Sequence, residues 1–341
     1  MVAQTLRDAG CEIVIDRSPS PAGWLPERED RSTTAILAQP GMPRLLAAAL
    51  AETLPSAGVL ELPDGDTAKS LAVVEEAYRF LDELEAGRHA TVVGIGGGAA
   101  TDVAGFVAAT WLRGIESVLV PTTLLAAVDA SIGGKTGINY AGKNLVGAFW
   151  RPSKVVVDLD LLAALPEVVA RQGWAEIVKA GFISDVYLTG LIEGHGLKTP
   201  LEEAVTRAIA VKLGVVGVDF AEKGERAVLN YGHTIGHALE IAGSLTHGDA
   251  VAIGMAAAAA VSERMTGFTE RVRHDRIIES LGLPLRAPSV DPDLVWGLLS
   301  KDKKRSSEGL RMVLLERIGE PKVSVVAPED VALGLASVGV R

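Results

Sequence analysis

The sequence has little of three features that would place a protein in a special class. Its single cysteine, Cys11, excludes an intrachain disulfide and any metal or iron–sulfur site built from several cysteines. It has no block rich in lysine and arginine, and its formal net charge is −10, so we expect no binding to nucleic acid. The longest uncharged apolar run, residues 250–262, is shorter than the roughly 18–20 residues that a membrane helix needs. Charged residues from Arg7 to Asp16 interrupt the apolar core of any signal peptide, so we expect a soluble, cytoplasmic protein.

The chain does have the length and apolar content of two domains, with 341 residues and 48% hydrophobic side chains. In its first half, short β-rich runs alternate with segments of helical periodicity. The predicted strands are residues 11–16, 33–39, 58–62, 90–94, 116–121 and 154–159, and the predicted helices are 43–54 and 68–84. Such alternation predicts a mainly parallel sheet with helices on both faces. Helical patterns dominate after about residue 165, so we place the two domains at 1–165 and 166–341.

Three segments of the second half carry clear local signals. Thr199, Pro200 and Glu202 match a helix start with an N-cap threonine, proline at the first helical position and glutamate three residues after the cap. The alanine-rich residues 248–266 predict a buried helix. Residues 310–315 and 321–326 predict a β pair near the end of the chain.

A glycine-rich turn, residues 94–98, joins a predicted strand to a helical pattern that begins at Ala99. Successive glycines let backbone N–H groups approach a phosphate, and the start of the following helix favours negative charge. The same glycines equally suit a tight turn packed under a neighbouring element. The spacing is also not the Gly-x-Gly-x-x-Gly fingerprint of the first strand in dinucleotide-binding folds. The turn alone therefore leaves a phosphate contact and a packing role both open.

A second glycine-rich region, residues 133–144, contains Lys135 and Lys143. Asp129 stands where a P-loop has its first glycine, which excludes a nucleoside triphosphatase of that class. Lysines framed by glycines in apolar surroundings favour contact with an anion over a place on a solvated helix face. We therefore expect an anion-binding loop here.

Three of the six histidines lie within fifteen residues of one another. His233 and His237 are four apart, on one face of a helix, and His247 follows. Upstream, Glu176 lies three residues before a lysine, Lys179. Two imidazoles and one carboxylate form a usual open catalytic zinc site, so the cluster favours a metal centre over a set of surface histidines. The other histidines, at 89, 195 and 274, stand singly, and we assign them no role.

Further polar side chains precede this cluster. Glu222, Arg226 and Asn230 are spaced by four, which predicts a shared helix face that runs towards His233, although an ordinary salt-bridged face would also explain the first two. Lys212 lies in the otherwise apolar stretch 208–218. Six cations fall in these motif regions of an acidic protein, which favours an anionic, phosphorylated substrate; they are Arg113, Lys135, Lys143, Lys179, Lys212 and Arg226.

Nine motifs follow one another along the chain: Gly96-Gly97-Gly98-x-x-x-Asp102, Arg113-Gly114, Pro121-Thr122-Thr123-Leu124-Leu125-Ala126, Gly133-Gly134-Lys135-Thr136-Gly137, Gly142-Lys143-Asn144, Ala175-Glu176-x-x-Lys179, Leu229-Asn230-x-Gly232-His233-Thr234-x-Gly236-His237, His247-Gly248 and Asp302-Lys303-Lys304. In this order they resemble the 3-dehydroquinate synthases, a family of sugar phosphate cyclases. The resemblance extends over residues 64–319.

The resemblance implies an α/β N-terminal, Rossmann-like NAD-binding domain and a mostly α-helical C-terminal domain that binds metal and substrate. It also implies tightly bound NAD, one divalent metal (zinc, or else cobalt) and a homodimer. The implied metal ligands are Glu176, His233 and His247. The implied NAD-binding residues are Asp64, Gly65, Asp66, Lys69, Gly96, Gly97, Gly98, Asp102, Thr122, Thr123, Lys135 and Lys143. The implied substrate and catalytic residues are Asp129, Lys135, Asn144, Lys179, Lys212, Glu222, Arg226, Asn230, His237, Lys303 and, reaching from the partner subunit, Arg113.

The implied reaction converts 3-deoxy-D-arabino-heptulosonate 7-phosphate into 3-dehydroquinate and phosphate, within the shikimate pathway. Transient oxidation by NAD leads to β-elimination of phosphate, re-reduction and an intramolecular aldol step, with His237 a candidate for proton transfer. Two alternatives remain at this stage. One is an aminodehydroquinate synthase or another cyclase of secondary metabolism. The other is a metal-dependent alcohol dehydrogenase of the glycerol dehydrogenase type.

Three positions depart from the family pattern. Asp66 is shorter than the usual glutamate, Gln39 lies where an Asp-x-Asn usually meets the adenosine ribose, and Ala164 replaces a frequent threonine. All three positions concern the cofactor, so we expect a change in the affinity or exchange of NAD.

Overall fold

The computed structural model describes residues 4–26, 32–305 and 310–341, without the side chains of residues 301–305. The chain divides into two compact units, Met1–Pro166 and Glu167–Arg341. The first is built on a β-sheet and the second mainly on helices, which confirms the expected fold class. Among the described residues, no helix is long and apolar enough to cross a membrane.

The described part of the first unit contains a sheet, a separate hairpin and helices. Its strands are β1 (Gln4–Asp8), β2 (Cys11–Asp16), β3 (Thr34–Ala38), β4 (Ala57–Glu61), β5 (Thr91–Gly96), β6 (Glu116–Pro121), β7 (Lys135–Ile138), β8 (Val146–Phe149) and β9 (Lys154–Asp158). Its α-helices are α1 (Met42–Glu52), α2 (Leu71–Glu83), α3 (Gly98–Thr110) and α4 (Leu159–Ala163). The six predicted strands are thus present; two have the predicted bounds, and the bounds of the other four differ by one or two residues.

Seven strands form the main sheet in the order β1-β2-β9-β6-β5-β3-β4. The strands pair in parallel except for β1, which is antiparallel to β2. Strand β5, in the interior of the sheet, is buried along its whole length and apolar after Thr91, as expected for a strand covered on both faces. Because parallel strands end at the same edge, the glycine-rich turn after β5 lies beside the ends of β3 and β6. This carboxyl edge is where open α/β sheets bind their ligands.

The glycines of this unit serve close packing in two places. A Cβ at Gly94 would lie 2.5 Å from the Ala104 side chain, so α3 can pack on β5 only because this residue is glycine. In the hairpin β7–β8, a Cβ at Gly147 would lie 2.2 Å from the Thr136 carbonyl oxygen. The expected loop over residues 133–144 is therefore wrong in part, because residues 135–138 form β7; glycine inside a strand normally weakens a strand prediction.

The second unit is a helical assembly with one β pair. The helices in its described part are α5 (Glu167–Ile183), α6 (Val186–His195), α7 (Leu201–Val218), α8 (His233–Ala242), α9 (His247–Met265), α10 (Arg271–Ser280), α11 (Pro292–Arg305) and α12 (Pro328–Ser337). The predicted pair consists of β10 (Leu310–Arg317) and β11 (Glu320–Val326), which are antiparallel. The alanine-rich helix α9 is buried from Ala250 to Ser262, as its composition indicated.

Close packing of α9 against the segment that starts α8 depends on glycines in both. A Cβ at Gly254 would lie only 1.9 Å from the carbonyl oxygen of Gly232. A Cβ at Gly236 would lie 2.9 Å from the Ala250 carbonyl oxygen. The two backbones therefore touch, with no side chain between them at these points.

The predicted cap of α7 is wrong by one residue. The helix begins at Leu201 and its N-cap residue is Pro200, which offers no side-chain acceptor. The Thr199 hydroxyl instead donates to the carbonyl oxygen of Gly196 at 2.7 Å. The threonine therefore closes the short turn that precedes the helix.

Candidate functional site

Three side chains that can bind a metal converge in the second unit. Glu176 lies on α5, while His233 and His247 are the first residues of α8 and α9. Their ligand atoms all lie within 4.8 Å of one another. The Glu176 Oε1 atom is 3.5 Å from His233 Nε2 and 3.3 Å from His247 Nε2. The backbone contact between α9 and the start of α8 brings the two imidazoles together on this carboxylate.

Each imidazole is oriented by a hydrogen bond on its other nitrogen. His233 Nδ1 donates to the Tyr231 carbonyl oxygen at 3.1 Å, and His247 Nδ1 lies 3.4 Å from the Glu240 carboxylate. In His233 a protonated Nδ1 leaves the Nε2 lone pair directed at Glu176, the form of imidazole that binds a metal. In His247, Nε2 donates a proton to Glu176, and a bound cation would take the place of that proton. Carbonyl oxygens and carboxylates are the usual partners of metal-binding histidines. Neither Tyr231 nor Glu240 was predicted, although Glu240 lies one turn after His237 on the same helix.

The buried carboxylate of Glu176 is surrounded by the Lys179 ammonium and two imidazoles, which shift one another's pKa values. Burial raises the pKa of Glu176, but the Lys179 ammonium, which pairs with it, and the two imidazoles hold that pKa well below its usual value. Burial and the Lys179 charge lower the pKa of His233 to about 3. Burial also opposes the charged form of His247, but hydrogen bonds to Glu176 and Glu240 outweigh it and raise the pKa to about 10.

A divalent cation fits this donor set. One carboxylate and two imidazole nitrogens leave a fourth position open, which is the composition of catalytic zinc sites. The carboxylate is ionised, and the Nε2 atoms point at it because both Nδ1 atoms have acceptors. The Glu176–His233–His247 group could therefore hold a metal, as the sequence predicted.

His237 lies next to these donors, on the same face of α8. The ring centroid of His237 is 5.1 Å from that of His233 and 6.2 Å from that of His247. Unlike the other two, His237 is exposed. The spacing of four residues therefore correctly placed His233 and His237 on one face of α8. The structure adds that His233 is buried and His237 is exposed.

Buried cations lie on the elements that pack against α5. Lys212 on α7 is 8% exposed, and Arg226 is 1% exposed in a short 3₁₀ turn, Glu225–Asn230. The Arg226 guanidinium donates to the Phe220 carbonyl oxygen at 2.7 Å, and its backbone N–H donates to the Asp219 carboxylate. Both α7 and the turn contact α5, which carries Glu176 and Lys179. Burial of a lysine or an arginine is costly unless its charge is paired, and an anionic ligand is one partner that such side chains can bind.

The predicted continuous helix face through residues 222, 226 and 230 is wrong. Glu222 has φ of 55°, in the left-handed region, and lies before the 3₁₀ turn, outside any helix. The Asp219 carboxylate accepts hydrogen bonds from the backbone N–H groups of Lys223, Gly224 and Arg226. These bonds hold the chain in a loop because they replace the acceptors that a helix would supply. Asn230 ends the turn, three residues before the first residue of α8.

In the first unit, the glycine-rich turn lies at the carboxyl edge of the sheet. Gly96 ends β5, Gly97 is the N-cap residue of α3 and Gly98 is its first residue. The Gly97 N–H donates to the side-chain oxygen of Gln39 at 2.9 Å. Gln39 is one of the departures from the family pattern, and it occupies a donor that a phosphate could otherwise use. The Thr122 N–H donates to the Gly96 carbonyl oxygen, while Thr123 follows, half-buried.

The buried Lys69 joins several of the predicted residues. Its ammonium contacts the carboxylate of Asp102 and the side-chain oxygen of Asn144. Asp66 lies nearby, 3.9 Å from the Lys143 ammonium, and Asp64 caps Gly65. The structure therefore brings together one group of residues within this unit: Asp64, Gly65, Asp66, Lys69, Asp102, Lys143 and Asn144.

The other predicted residues lie outside that group. Asp129 is half-buried in a π-helical turn, Ala126–Ala130, and Lys135 is exposed at the start of β7. Arg113 is exposed and has φ of 68°. Lys303 falls in α11, but its side chain lies outside the described residues.

Comparison with known proteins agrees with this geometry. Residues 59–172 match the family described as 3-dehydroquinate synthase N-terminal, and residues 173–305 match 3-dehydroquinate synthase C-terminal. The 3-dehydroquinate synthase of Thermobifida fusca (strain YX) is 46% identical over 291 residues, which cover 81% of this chain and 78% of that protein.

Two solved structures are similar over nearly the whole chain. A 2-deoxy-scyllo-inosose synthase complexed with carbaglucose-6-phosphate, NAD⁺ and Co²⁺ is 27% identical, with a TM-score of 0.87, over 98% of this chain and 99% of that one. The 2-epi-5-epi-valiolone synthase of Streptomyces hygroscopicus subsp. jinggangensis 5008, with NAD⁺ and Zn²⁺ bound, is 27% identical, with a TM-score of 0.86, over 99% of both chains. The chain therefore belongs to the 3-dehydroquinate synthase family of sugar phosphate cyclases, and it is an enzyme of the shikimate pathway.

Proposed function

We propose that this enzyme converts 3-deoxy-D-arabino-heptulosonate 7-phosphate into 3-dehydroquinate and phosphate, as a cytoplasmic homodimer. The observation that carries the proposal is the convergence of Glu176, His233 and His247 within 4.8 Å, in a chain of this family. A relative that is a dehydroquinate synthase is 46% identical, whereas the two cyclases that are named for other products are 27% identical. This difference favours the heptulosonate phosphate over the substrates of those cyclases.

We assign one divalent cation, zinc or cobalt, to Glu176, His233 and His247. When bound, the cation supplies Lewis acidity, which lowers the pKa of coordinated hydroxyl groups. The protein's part is to hold the donors in place. The Tyr231 carbonyl oxygen and the Glu240 carboxylate fix the two imidazole rings, and Lys179 keeps Glu176 ionised.

We assign NAD to the carboxyl edge of the sheet in the first unit, where it supplies a hydride acceptor that each turnover restores. The assigned residues are Asp64, Gly65, Asp66, Lys69, Gly96, Gly97, Gly98, Asp102, Thr122, Thr123, Lys135 and Lys143. The N–H groups at the start of α3 suit a pyrophosphate. Because Gln39 already accepts from the Gly97 N–H, we expect a weaker phosphate contact there than in relatives without this glutamine.

We assign the anionic groups of the substrate to the buried cations Lys179, Lys212 and Arg226, with Asn230 beside them. A carboxylate and a phosphate would offset the cost of burying these charges. In the first unit the proposed substrate residues are Asp129, Lys135 and Asn144, and Glu222 and Lys303 complete the set. His237 is exposed beside the metal donors, so it can exchange a proton with the C5 hydroxyl oxygen of the substrate.

The role proposed for Arg113 comes from the resemblance to the 3-dehydroquinate synthases, and its backbone strain and exposure are compatible with that role. Leu112 and Arg113 have φ of 49° and 68°, a left-handed conformation that costs each non-glycine residue of the order of 1 kcal/mol. Such strain concentrates at functional sites. On the basis of the resemblance, we propose that Arg113 reaches the substrate phosphate of the partner subunit and that the strained segment holds it in position.

The test supplies the purified protein with NAD, a divalent metal and either the heptulosonate phosphate or its amino counterpart. Release of inorganic phosphate and formation of the cyclised product are followed, together with absorbance of NADH. We expect 3-dehydroquinate and phosphate in equal amounts without net NADH. Turnover of the amino substrate alone would assign an aminodehydroquinate synthase, and net NADH would indicate an alcohol dehydrogenase. Turnover of neither substrate would refute the proposal.

A further inference from the structure

A buried polar chain in the second unit runs from Asp275 through His274 to Tyr231. His274 and Tyr231 both have 0% exposure. His274 Nδ1 is 2.8 Å from Asp275 Oδ1, and His274 Nε2 is 3.0 Å from the Tyr231 hydroxyl oxygen. The Phe182 ring stacks on the imidazole with centroids 4.3 Å apart, and the Phe268 ring meets it edge-on. A lone histidine to which the sequence assigned no role therefore lies at the centre of a network.

The donor and acceptor roles along this chain follow from the chemistry of its ends. A carboxylate can only accept, so His274 Nδ1 donates to Asp275 and Nε2 accepts from the Tyr231 hydroxyl group. Burial lowers the pKa of His274, which keeps the imidazole neutral and so preserves this order. Every polar atom of the chain has a partner, which is the condition for burying such a network without a large energetic cost.

Tyr231 connects the network to the metal donors through its own backbone. Its carbonyl oxygen accepts from His233 Nδ1 at 3.1 Å, and its N–H donates to the Val228 carbonyl oxygen at 3.2 Å. The next residue, Gly232, has φ of 79°, and a Cβ there would lie 2.5 Å from the Met255 side chain. The phenol and this carbonyl belong to one residue, so the contacts of the hydroxyl group with His274 and, at 3.4 Å, with the Met255 carbonyl oxygen restrict where the carbonyl oxygen can lie.

We propose that Tyr231, held by His274 and Asp275, is a positioning residue that fixes the ring of His233 for metal binding. The proposal rests on the assignment of His233 as a metal ligand. In the free enzyme, the anchored phenol holds the carbonyl oxygen that selects the Nδ1-protonated form of His233. Loss of the phenol hydroxyl group leaves the ring in place but lets the carbonyl oxygen move, so Nε2 is presented less often in the binding geometry.

The experiment compares three variants of the whole protein with the wild type. Tyr231→Phe removes one hydroxyl group, and Asp275→Asn keeps an acceptor oxygen for His274 but removes its charge. Phe268→Leu is the matched control, because it disturbs packing against His274 and leaves every hydrogen bond of the chain in place. For each variant, the dissociation constant of Co²⁺ is measured by competition with a chelator, together with the visible spectrum of the Co²⁺ protein and the melting temperature without metal.

We expect Tyr231→Phe to weaken Co²⁺ binding about tenfold, the low end of the range for residues that orient a metal ligand, and to shift the cobalt bands. Asp275→Asn should change both quantities in the same direction by a smaller factor. Phe268→Leu should lower the melting temperature and leave Co²⁺ affinity and spectrum unchanged. The proposal is overturned if Tyr231→Phe behaves like Phe268→Leu. Absence of Co²⁺ binding by the wild type would refute the metal assignment as well, so the two failures are distinguishable.

Discussion

Replacement of Gly254 by alanine tests whether direct backbone contact between α9 and the start of α8 holds the metal donors together. The new Cβ would lie 1.9 Å from the Gly232 carbonyl oxygen, whereas real Cβ contacts are essentially never below 3.0 Å. The obstacle is backbone, so the two segments must separate by about 1 Å, the difference between these two distances. His233 follows Gly232 directly, so it must move with that segment.

The expected magnitude combines two opposing effects. Alanine in the interior of a helix gains about 1 kcal/mol over glycine from backbone entropy. Overpacking against a rigid neighbour costs about 1–3 kcal/mol, and here the upper end applies because no flexible side chain can yield. We therefore expect Gly254→Ala to lower the free energy of unfolding by about 2 kcal/mol and to weaken metal binding.

Gly214→Ala is the matched control, because Gly214 is also inside a helix and a Cβ there meets nothing within 4 Å. This variant should be more stable than the wild type by about 0.5–1 kcal/mol, with unchanged metal affinity. Denaturant unfolding and metal titration of the three proteins measure both quantities. If Gly254→Ala is as stable as Gly214→Ala and binds metal normally, the helix contact does not have the role described.

Three further predictions address charge, metal and pH. Lys212→Met should reduce kcat/KM by an amount equivalent to about 2–5 kcal/mol, because a buried anion of the substrate loses its partner. Lys198→Met, at an exposed position, should leave kcat/KM nearly unchanged, and equal kcat/KM values for the two variants would contradict the assignment. His247→Ala should lose the bound metal in elemental analysis, and a metal-free wild type with full turnover would refute the site. The buried, neutral His274 should lower stability in acid: below about pH 6.5 only the unfolded chain protonates it, so the free energy of unfolding falls by about 1.4 kcal/mol per pH unit until the depressed folded pKa is reached. His274→Gln should lack this contribution, and identical pH slopes for wild type and variant would contradict it.

The local pattern of the sequence was sufficient for most elements and for the residue types of the site. The strands of the main sheet other than β1 were predicted because buried parallel strands are continuous apolar runs, which short windows reveal. The spacing of His233 and His237 placed both on one helix face. The alanine-rich composition of α9 predicted a buried helix. These features depend on neighbours within a few residues, so short windows of the sequence are enough to indicate them.

Residue spacing failed where a particular hydrogen bond or a close backbone contact decides the local structure. The spacing of 222, 226 and 230 predicted a helix face, but the Asp219 carboxylate takes three N–H groups and leaves a loop. The glycine-rich residues 133–144 predicted a loop, but two backbones approach each other there closely enough to form the hairpin β7–β8. In both places the structure is decided by a particular contact between two groups, and the spacing of residue types along the sequence carries no information about such a contact.

The sequence by itself determined which donors the enzyme has: one glutamate, three clustered histidines and a set of cations in an acidic chain. Only the tertiary structure decided which of these donors share a site, how exposed each one is and which hydrogen-bond partners orient it. It brought Glu176 to within 3.5 Å of both His233 and His247, left His237 exposed, and supplied the partners Tyr231 and Glu240. It also linked His274, forty-three residues from Tyr231 along the chain, to the peptide that orients a metal donor. The physical reason is that the strength of a hydrogen bond or a charge depends on distance and burial, and residues far apart in sequence acquire both only when the helices pack.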